Sequence, residues 1–225
     1  MIRFILLLTF INFSLISYSQ SNETVTDIDG NVYKTVKIGN DTWMAENLAV
    51  TRYNDGTPIL NIKNADGWIV NLEPAYRWYN NDSIKFKLLG ALYNWYAIET
   101  QKLCPKGWHV ATDKEWSQLV WLAGGDKIAG TKLRTTGTKL WSNSAYQGED
   151  IFGFGALPAG FLHDFTGNSS AKGEYASFWT ADQYSRAFGW GRSIHISSPE
   201  VRRFNDGKKG GFSVRCVKNK NLPSF

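Results

Sequence analysis

Two cysteines, 112 positions apart, are the residues of this chain whose chemistry is best defined. Cys104 opens Cys104-Pro105-Lys106-Gly107-Trp108-His109-Val110, and Cys216 closes Gly211-Phe212-Ser213-Val214-Arg215-Cys216-Val217. In an exported protein a lone pair of this kind is read as one disulfide tying the middle of the domain to its last strand. Phe212, Val214 and Cys216 alternate with Ser213 and Arg215, which places the second cysteine on the buried face of that strand. Other catalytic groups are sparse. His109, His163 and His195 stand far apart, with no His-Glu-x-x-His and no short His/carboxylate cluster for zinc, and are read as surface or hydrogen-bonded histidines. There is no Gly-x-Ser-x-Gly elbow and no phosphate-cradling glycine loop. Glu149-Asp150 and Asp164 are nominal candidates for a hydrolytic carboxylate pair, whose members must come within about 5–10 Å in space. No catalytic residue, cofactor or metal site is assigned.

Aromatic residues carry the remaining functional signal. Ten Trp, ten Tyr and 13 Phe make up 15% of the chain, more than packing alone usually requires. Flat rings suit the C–H faces of sugars, and rings with a polar handle suit half-wet interfaces. Trp43, Trp95, Trp108 and Trp116 lie in regular motifs and are expected in the core. Trp179, Tyr184 and Trp190 lie in the loop-rich second half and are the candidates for a ligand platform, with Trp68, Trp78 and Tyr79 as weaker alternatives.

The elements that must position these residues follow a leader. Arg3 and the apolar stretch from Phe4 to Ile16 read as a signal peptide over 1–19, with Ser17 and Ser19 at the −3 and −1 places of the cleavage site. No cysteine follows to take a lipid, and no later stretch reaches span length, so an extracytoplasmic location is expected: secreted, periplasmic or cell-surface. The rest, 20–225, is long enough for a single domain with a sizeable core. The net charge of +5 is concentrated after Glu200, where Arg202, Arg203, Lys208, Lys209, Arg215, Lys218 and Lys220 face two acids. Export makes nucleic acid a poor partner for this basic end, which reads as a solvated hairpin face.

Val25–Ile28, Val32–Ile38 and Thr42–Met44 form a predicted meander with turns at Asp29-Gly30-Asn31 and Gly39-Asn40-Asp41. Asp27-Ile28-Asp29-Gly30-Asn31 shares its start with a calcium loop but lacks the later carboxylates and distal Glu, so it reads as a turn. Asn47 to Asn71 reads as an irregular packed excursion, and Gly90 to Thr100 as a short buried helix. Thr112-Asp113-Lys114-Glu115 is a capping box; Trp116, Leu119, Val120 and Ala123 then share a face, Trp121 points elsewhere, and Gly124-Gly125 ends the helix. Short strands are expected around Phe154–Leu162, Tyr175–Thr180, Trp190–Ile196 and Phe212–Val217.

Several of these segments together resemble the Fibrobacter succinogenes major paralogous domain. They are Thr26 to Gly39 with Trp43-Met44-Ala45-Glu46-Asn47-Leu48, Leu92-Tyr93-Asn94-Trp95-Tyr96-Ala97, the Cys104-Pro105-Lys106-Gly107-Trp108 start, Ala156-Leu157-Pro158-Ala159-Gly160 and Phe212-Ser213-Val214-Arg215-Cys216. The resemblance implies an exported bacterial protein without an established activity. It also implies distant similarity to C-type lectin-like and formylglycine-generating-enzyme folds: α+β, with short twisted antiparallel strands, one or two helices, long loops and one disulfide. The oxidase chemistry of the latter needs a reactive cysteine pair beyond structural ones, and both cysteines here are accounted for by the bridge. Calcium-dependent lectins need an acidic/amide-Pro motif and a later Trp-Asn-Asp. Phe204-Asn205-Asp206 stands where the second would lie and Ser198-Pro199-Glu200 is a loose echo of the first. Asn205-Asp206-Gly207 is read instead as a hairpin turn, its tip metal-free.

The resulting expectation is an exported, non-enzymatic recognition domain that binds polysaccharide or another cell-surface component through aromatic loops. The alternatives are a structural or adhesin subunit binding protein, and a hydrolase with dispersed carboxylates.

Overall fold

The strand from Val32 to Ile38 shows how the pattern becomes structure: Tyr33, Thr35, Val36 and Ile38 turn inward while Val32, Lys34 and Lys37 face water. The turn before it is held by Asp27, whose carboxylate accepts the Asp29 and Asn31 amides, both at 2.9 Å, and the Tyr33 hydroxyl at 2.6 Å. Those bonds occupy the carboxylate within the turn, as expected of a turn rather than an ion loop.

The structure, a computed structural model, describes residues 23–137, 139–142 and 145–220. The leader over 1–19 lies outside the described residues. In chain order the strands begin with β1 (Thr24–Thr26), β2 (Val32–Ile38), β3 (Asp41–Met44), β4 (Leu60–Asn61), β5 (Ala75–Arg77) and β6 (Leu92–Tyr93). They continue with β7 (Trp108–Val110), β8 (Phe161–Leu162), β9 (Ser169–Ser170), β10 (Tyr175–Gln183), β11 (Phe188–His195), β12 (Val201–Gly207) and β13 (Cys216–Lys218). The helices are α1 (Ala65–Val70), α2 (Ser83–Phe86), α3 (Trp95–Glu99), α4 (Asp113–Leu122) and α5 (Ala129–Leu133), all short. This is a mixed α+β fold dominated by sheet. No described helix is long and apolar enough to cross a membrane.

The strands assemble as β1-β2-β3-β13-β7, β10-β11-β12, β4-β5-β6 and β8-β9. All pairs between these strands are antiparallel except β4–β5. The predicted meander is β1-β2-β3, and the terminal strand β13 lies between β3 and β7. Helix α4 begins with the expected capping box: the Thr112 hydroxyl accepts the Glu115 amide at 3.2 Å and Glu115 accepts the Thr112 amide at 2.8 Å. It ends at Gly124 and Gly125, both with positive φ, as the motif requires. Its inner face delivers Trp116 to a cage with Trp43, Phe154 and Phe178, at centroid distances of 5.1–6.3 Å.

Three expectations change. The segment from Gly90 is a strand followed by a helix, because Asn94 caps α3 by accepting the Ala97 amide and Leu92–Tyr93 pairs with β5. Phe212 to Val217 is buried on both faces, Ser213 and Arg215 included, because polypeptide packs against each side of it. The basic end is also not uniformly solvated: Lys208 and Arg215 are buried, whereas Arg202, Arg203, Lys218 and Lys220 are exposed.

Cys104 and Cys216 are bridged, with their α-carbons 6.0 Å apart. Closing a loop of this length contributes about 4–5 kcal/mol in the chain-entropy model. The unfolded, non-reduced protein should therefore take up no thiol reagent, and reduction should lower the unfolding midpoint in denaturant. Labelling at both cysteines without reductant would overturn the assignment.

Candidate functional site

The site is built on the β10-β11-β12 sheet, whose two faces have different characters. Residues opposite one another across antiparallel strands share a face. The pairs Ser177↔Ser193↔Arg202, Trp179↔Gly191↔Phe204 and Gly189↔Asp206 therefore define one face. Phe178↔Arg192↔Arg203 and Trp190↔Asn205 define the other, which packs toward α4. On the first face Phe161 of β8 and Phe212 complete a groove of about 270 Å³ with Tyr175, Ser177, Ser193, Arg202, Phe204 and Asp206.

The groove's aromatic lining is interlocked. Phe212 meets Phe204 edge-on at 5.3 Å and Phe161 at 6.1 Å, and Phe161 meets Tyr175 edge-on at 6.0 Å. Behind it Trp179 packs on Phe212 at 4.5 Å, and its indole N–H donates to the Tyr93 carbonyl at 2.9 Å. Gly191 makes this possible: a β-carbon there would stand 2.5 Å from the Phe204 ring. Ser177 and Ser193, 3% and 8% exposed as whole residues, line this groove, and neither hydroxyl is hydrogen-bonded among the described residues. Neither oxygen is sealed off as the Tyr53 hydroxyl is, so both are reached from the groove, where water or a ligand can bond them.

Asp206 supplies the charge. Burial pushes its carboxyl up to about 6, and the neighbouring Asp164 carboxylate adds to the effect. Gly207 and Gly210 permit this crowding. A side chain at Gly207 would meet Asp164 Oδ2 at 2.7 Å, and one at Gly210 would meet Asp206 Oδ1 at 3.3 Å and the Phe212 ring at 3.2 Å. His163 Nδ1 lies 3.4 Å from Asp164 Oδ1. A perturbed carboxyl in an aromatic groove is a recognised marker of a functional site.

The residues expected to form a platform are divided by the fold. Trp179 is 0% exposed and is withdrawn as a ligand ring; it supports the groove from beneath. Tyr184, 51% exposed, and the half-buried Trp190 stack edge-to-face at 4.6 Å beside the opposite face of the sheet. There the Arg203 guanidinium covers the Trp190 ring at 3.5 Å and bonds Asp113 Oδ2 at 2.8 Å, so one face of the indole is already occupied. Trp68, Trp78 and Tyr79 are buried.

Asn205 and Asp206 are not a hairpin tip: they lie inside β12, and the turn falls after them, where the Gly210 amide donates to the Gly207 carbonyl. As strand neighbours they project from opposite faces and cannot share one ion. Asp150 accepts the Gly155 amide at 2.9 Å and is a structural group in its loop. The three histidines remain apart. His109 joins Glu115 at 2.9 Å and Asn219 at 2.6 Å, and the Glu115 carboxylate raises its pKa; His195 bonds the Ser197 hydroxyl.

Sequence reasoning missed Phe161, Tyr175, Phe204 and the two serines. Arg202, Phe204 and Asp206 do alternate with Val201, Arg203 and Asn205, a signal that was masked by reading Asn205-Asp206-Gly207 as a turn.

Trp179→Ala should cost about 3–5 kcal/mol in denaturant unfolding, as for other buried tryptophans, whereas Trp190→Ala should cost clearly less. The Asp206 carboxyl predicts a pH signature. Its folded pKa, about 6, lies above the ordinary 3.8, so the folded state holds this proton more tightly and loses stability as pH rises through that window. Asp206→Asn should raise the melting temperature at about pH 8 and leave it nearly unchanged at about pH 2.5, where both states carry the proton. A lower melting temperature at the higher pH would show that the carboxylate is structurally needed.

No curated protein and no solved structure matches the chain. The family model of the Fibrobacter succinogenes major domain matches residues 36–218, from β2 through the last strand and across both cysteines and the groove. The chain belongs to the Fibrobacter succinogenes major domain family.

Proposed function

We propose that this chain is an exported, non-enzymatic recognition domain of C-type lectin-like architecture. It takes a glycan or another surface component in the groove of Phe161, Tyr175, Phe204 and Phe212. The observation that carries the reading is the pairing of an aromatic wall with two serine hydroxyls that line the same groove and make no hydrogen bond among the described residues. Sugars present apolar C–H faces and hydroxyl edges together, and such a surface offers a counterpart to each. The signal-like first 19 residues support delivery outside the cytoplasm, where such ligands are met.

The approach of Asp164 to Asp206 favours a second reading. A carboxyl group raised by burial beside a second carboxyl group is a pairing that glycoside hydrolases use for acid/base work. Release of reducing ends from a retained polysaccharide would select this reading over simple recognition.

On an immobilised glycan array, the parent protein should be retained on at least one polysaccharide. Phe204→Ala should lose that retention while still unfolding cooperatively, and Trp190→Ala, on the opposite face, should keep it. Retention lost in Trp190→Ala but kept in Phe204→Ala would move the site to the other face. No retention of the parent on any glycan would favour a structural or adhesin subunit that binds protein.

A further inference from the structure

Asp206 has no ion-pair partner among the described residues, although the sequence around it is rich in cations. The fold sends those cations elsewhere. Lys208 reaches Glu99 at 3.3 Å and Gln183 at 3.1 Å, with its ammonium over the Trp95 ring. Lys209 donates to the Ile69 carbonyl at 2.8 Å. Arg203 lies on the opposite face of the sheet, bound to Asp113. Arg202 alone of the four lines the groove, and it sits four residues from Asp206 along β12, about 13 Å away at ordinary strand rise. One end of the groove is thus cationic. The other holds Asp206 with Asp164 close by, and the His163 ring nitrogen lies 3.4 Å from Asp164 Oδ1.

We infer that the Asp206 end of the groove is selective for a protonated primary amine, so that the preferred ligand is an amino sugar in an oligosaccharide. This inference rests on the glycan reading of the same groove. A carboxylate held half-buried beside a second carboxylate, with no ion-pair partner among the described residues, is short of positive charge, and a ligand ammonium supplies it. The ring of Phe212 borders the same spot, through the space in front of Gly210, and an ammonium there also gains the attraction of an aromatic face. Ser177 and Ser193 line the groove in the same cross-strand row as Arg202, at the cationic end. They are placed to bond ring hydroxyls of a ligand that spans the groove.

The test compares fully deacetylated with fully N-acetylated chito-oligosaccharides of equal length by calorimetric titration at neutral pH. The parent should bind the amine form on the order of tenfold more tightly. Asp206→Asn should erase that preference, while Asp126→Asn, outside the groove, should keep it and so rule out bulk charge attraction. Equal binding of both oligosaccharides by the parent, lost together in Phe204→Ala, would overturn the amine selectivity and leave the glycan site standing. A preference that survives in Asp206→Asn would also overturn it. Absence of binding to either oligosaccharide, with no retention on the glycan array, would remove the glycan reading itself.

Discussion

The buried guanidinium of Arg215 is the interaction on which the arrangement depends. It is 0% exposed and bonds the side chain of Asn47 at 2.8 Å and the carbonyls of Met44 at 3.0 Å, Phe154 at 2.5 Å and Gly155 at 2.7 Å. Its cation also rests over the rings of Phe154 and Phe178 at 4.4 and 5.5 Å. Three segments distant in sequence are thereby held at one point. Burial pulls its pKa down to about 9, still above neutral, so the charge persists. Each carbonyl left unpaired in such a place costs about 1–3 kcal/mol, which is why a long cation is accommodated where an apolar side chain would fill the volume but not the bonding. Arg134 does the same elsewhere, bonding the carbonyls of His195 and Ser198 with its guanidinium over Trp141.

The Arg215 hub and the disulfide act on adjacent residues of the terminal segment and together fix its course. Cys216 and Val217 sit in the five-stranded sheet beside Val110, His109 and Trp43. A few residues earlier, the Ser213 amide donates to the Ser177 carbonyl and the Trp179 amide to the Ser213 carbonyl, which joins the segment to β10. Phe212 is thereby pressed onto Trp179 and becomes a wall of the groove. The candidate site is thus an extension of the core: its aromatic lining is rigid because the chain behind it is clamped by a disulfide and a cation held by four hydrogen bonds.

The three-stranded sheet then sorts charge by face. Arg192 and Arg203 converge on Asp113 at the start of α4, where an acidic side chain also complements the helix N-terminus. The groove face is left with Arg202 at one end and Asp206 at the other. Because successive strand residues point to opposite faces, neighbours such as Arg202 and Arg203, or Asn205 and Asp206, belong to different environments. A local charge count along the chain is therefore a poor guide to the field at Asp206.

What the sequence determined by itself was the set of features whose cause lies within a few residues. These are the Thr112–Glu115 capping box, the Gly124-Gly125 stop, the alternation in β2 and the Asp27–Asn31 turn. Each follows from backbone hydrogen bonding or side-chain period, which neighbouring residues settle. Tertiary structure alone decided that Trp179 is core, that Arg215 is buried on the face expected to be wetter, and that Asp164 comes to Asp206. It also decided that Phe161, Tyr175, Phe204 and Phe212 enclose one groove. Those outcomes depend on which distant segments pack together, and ring burial and carboxyl pKa are set by that packing, which period and propensity do not encode.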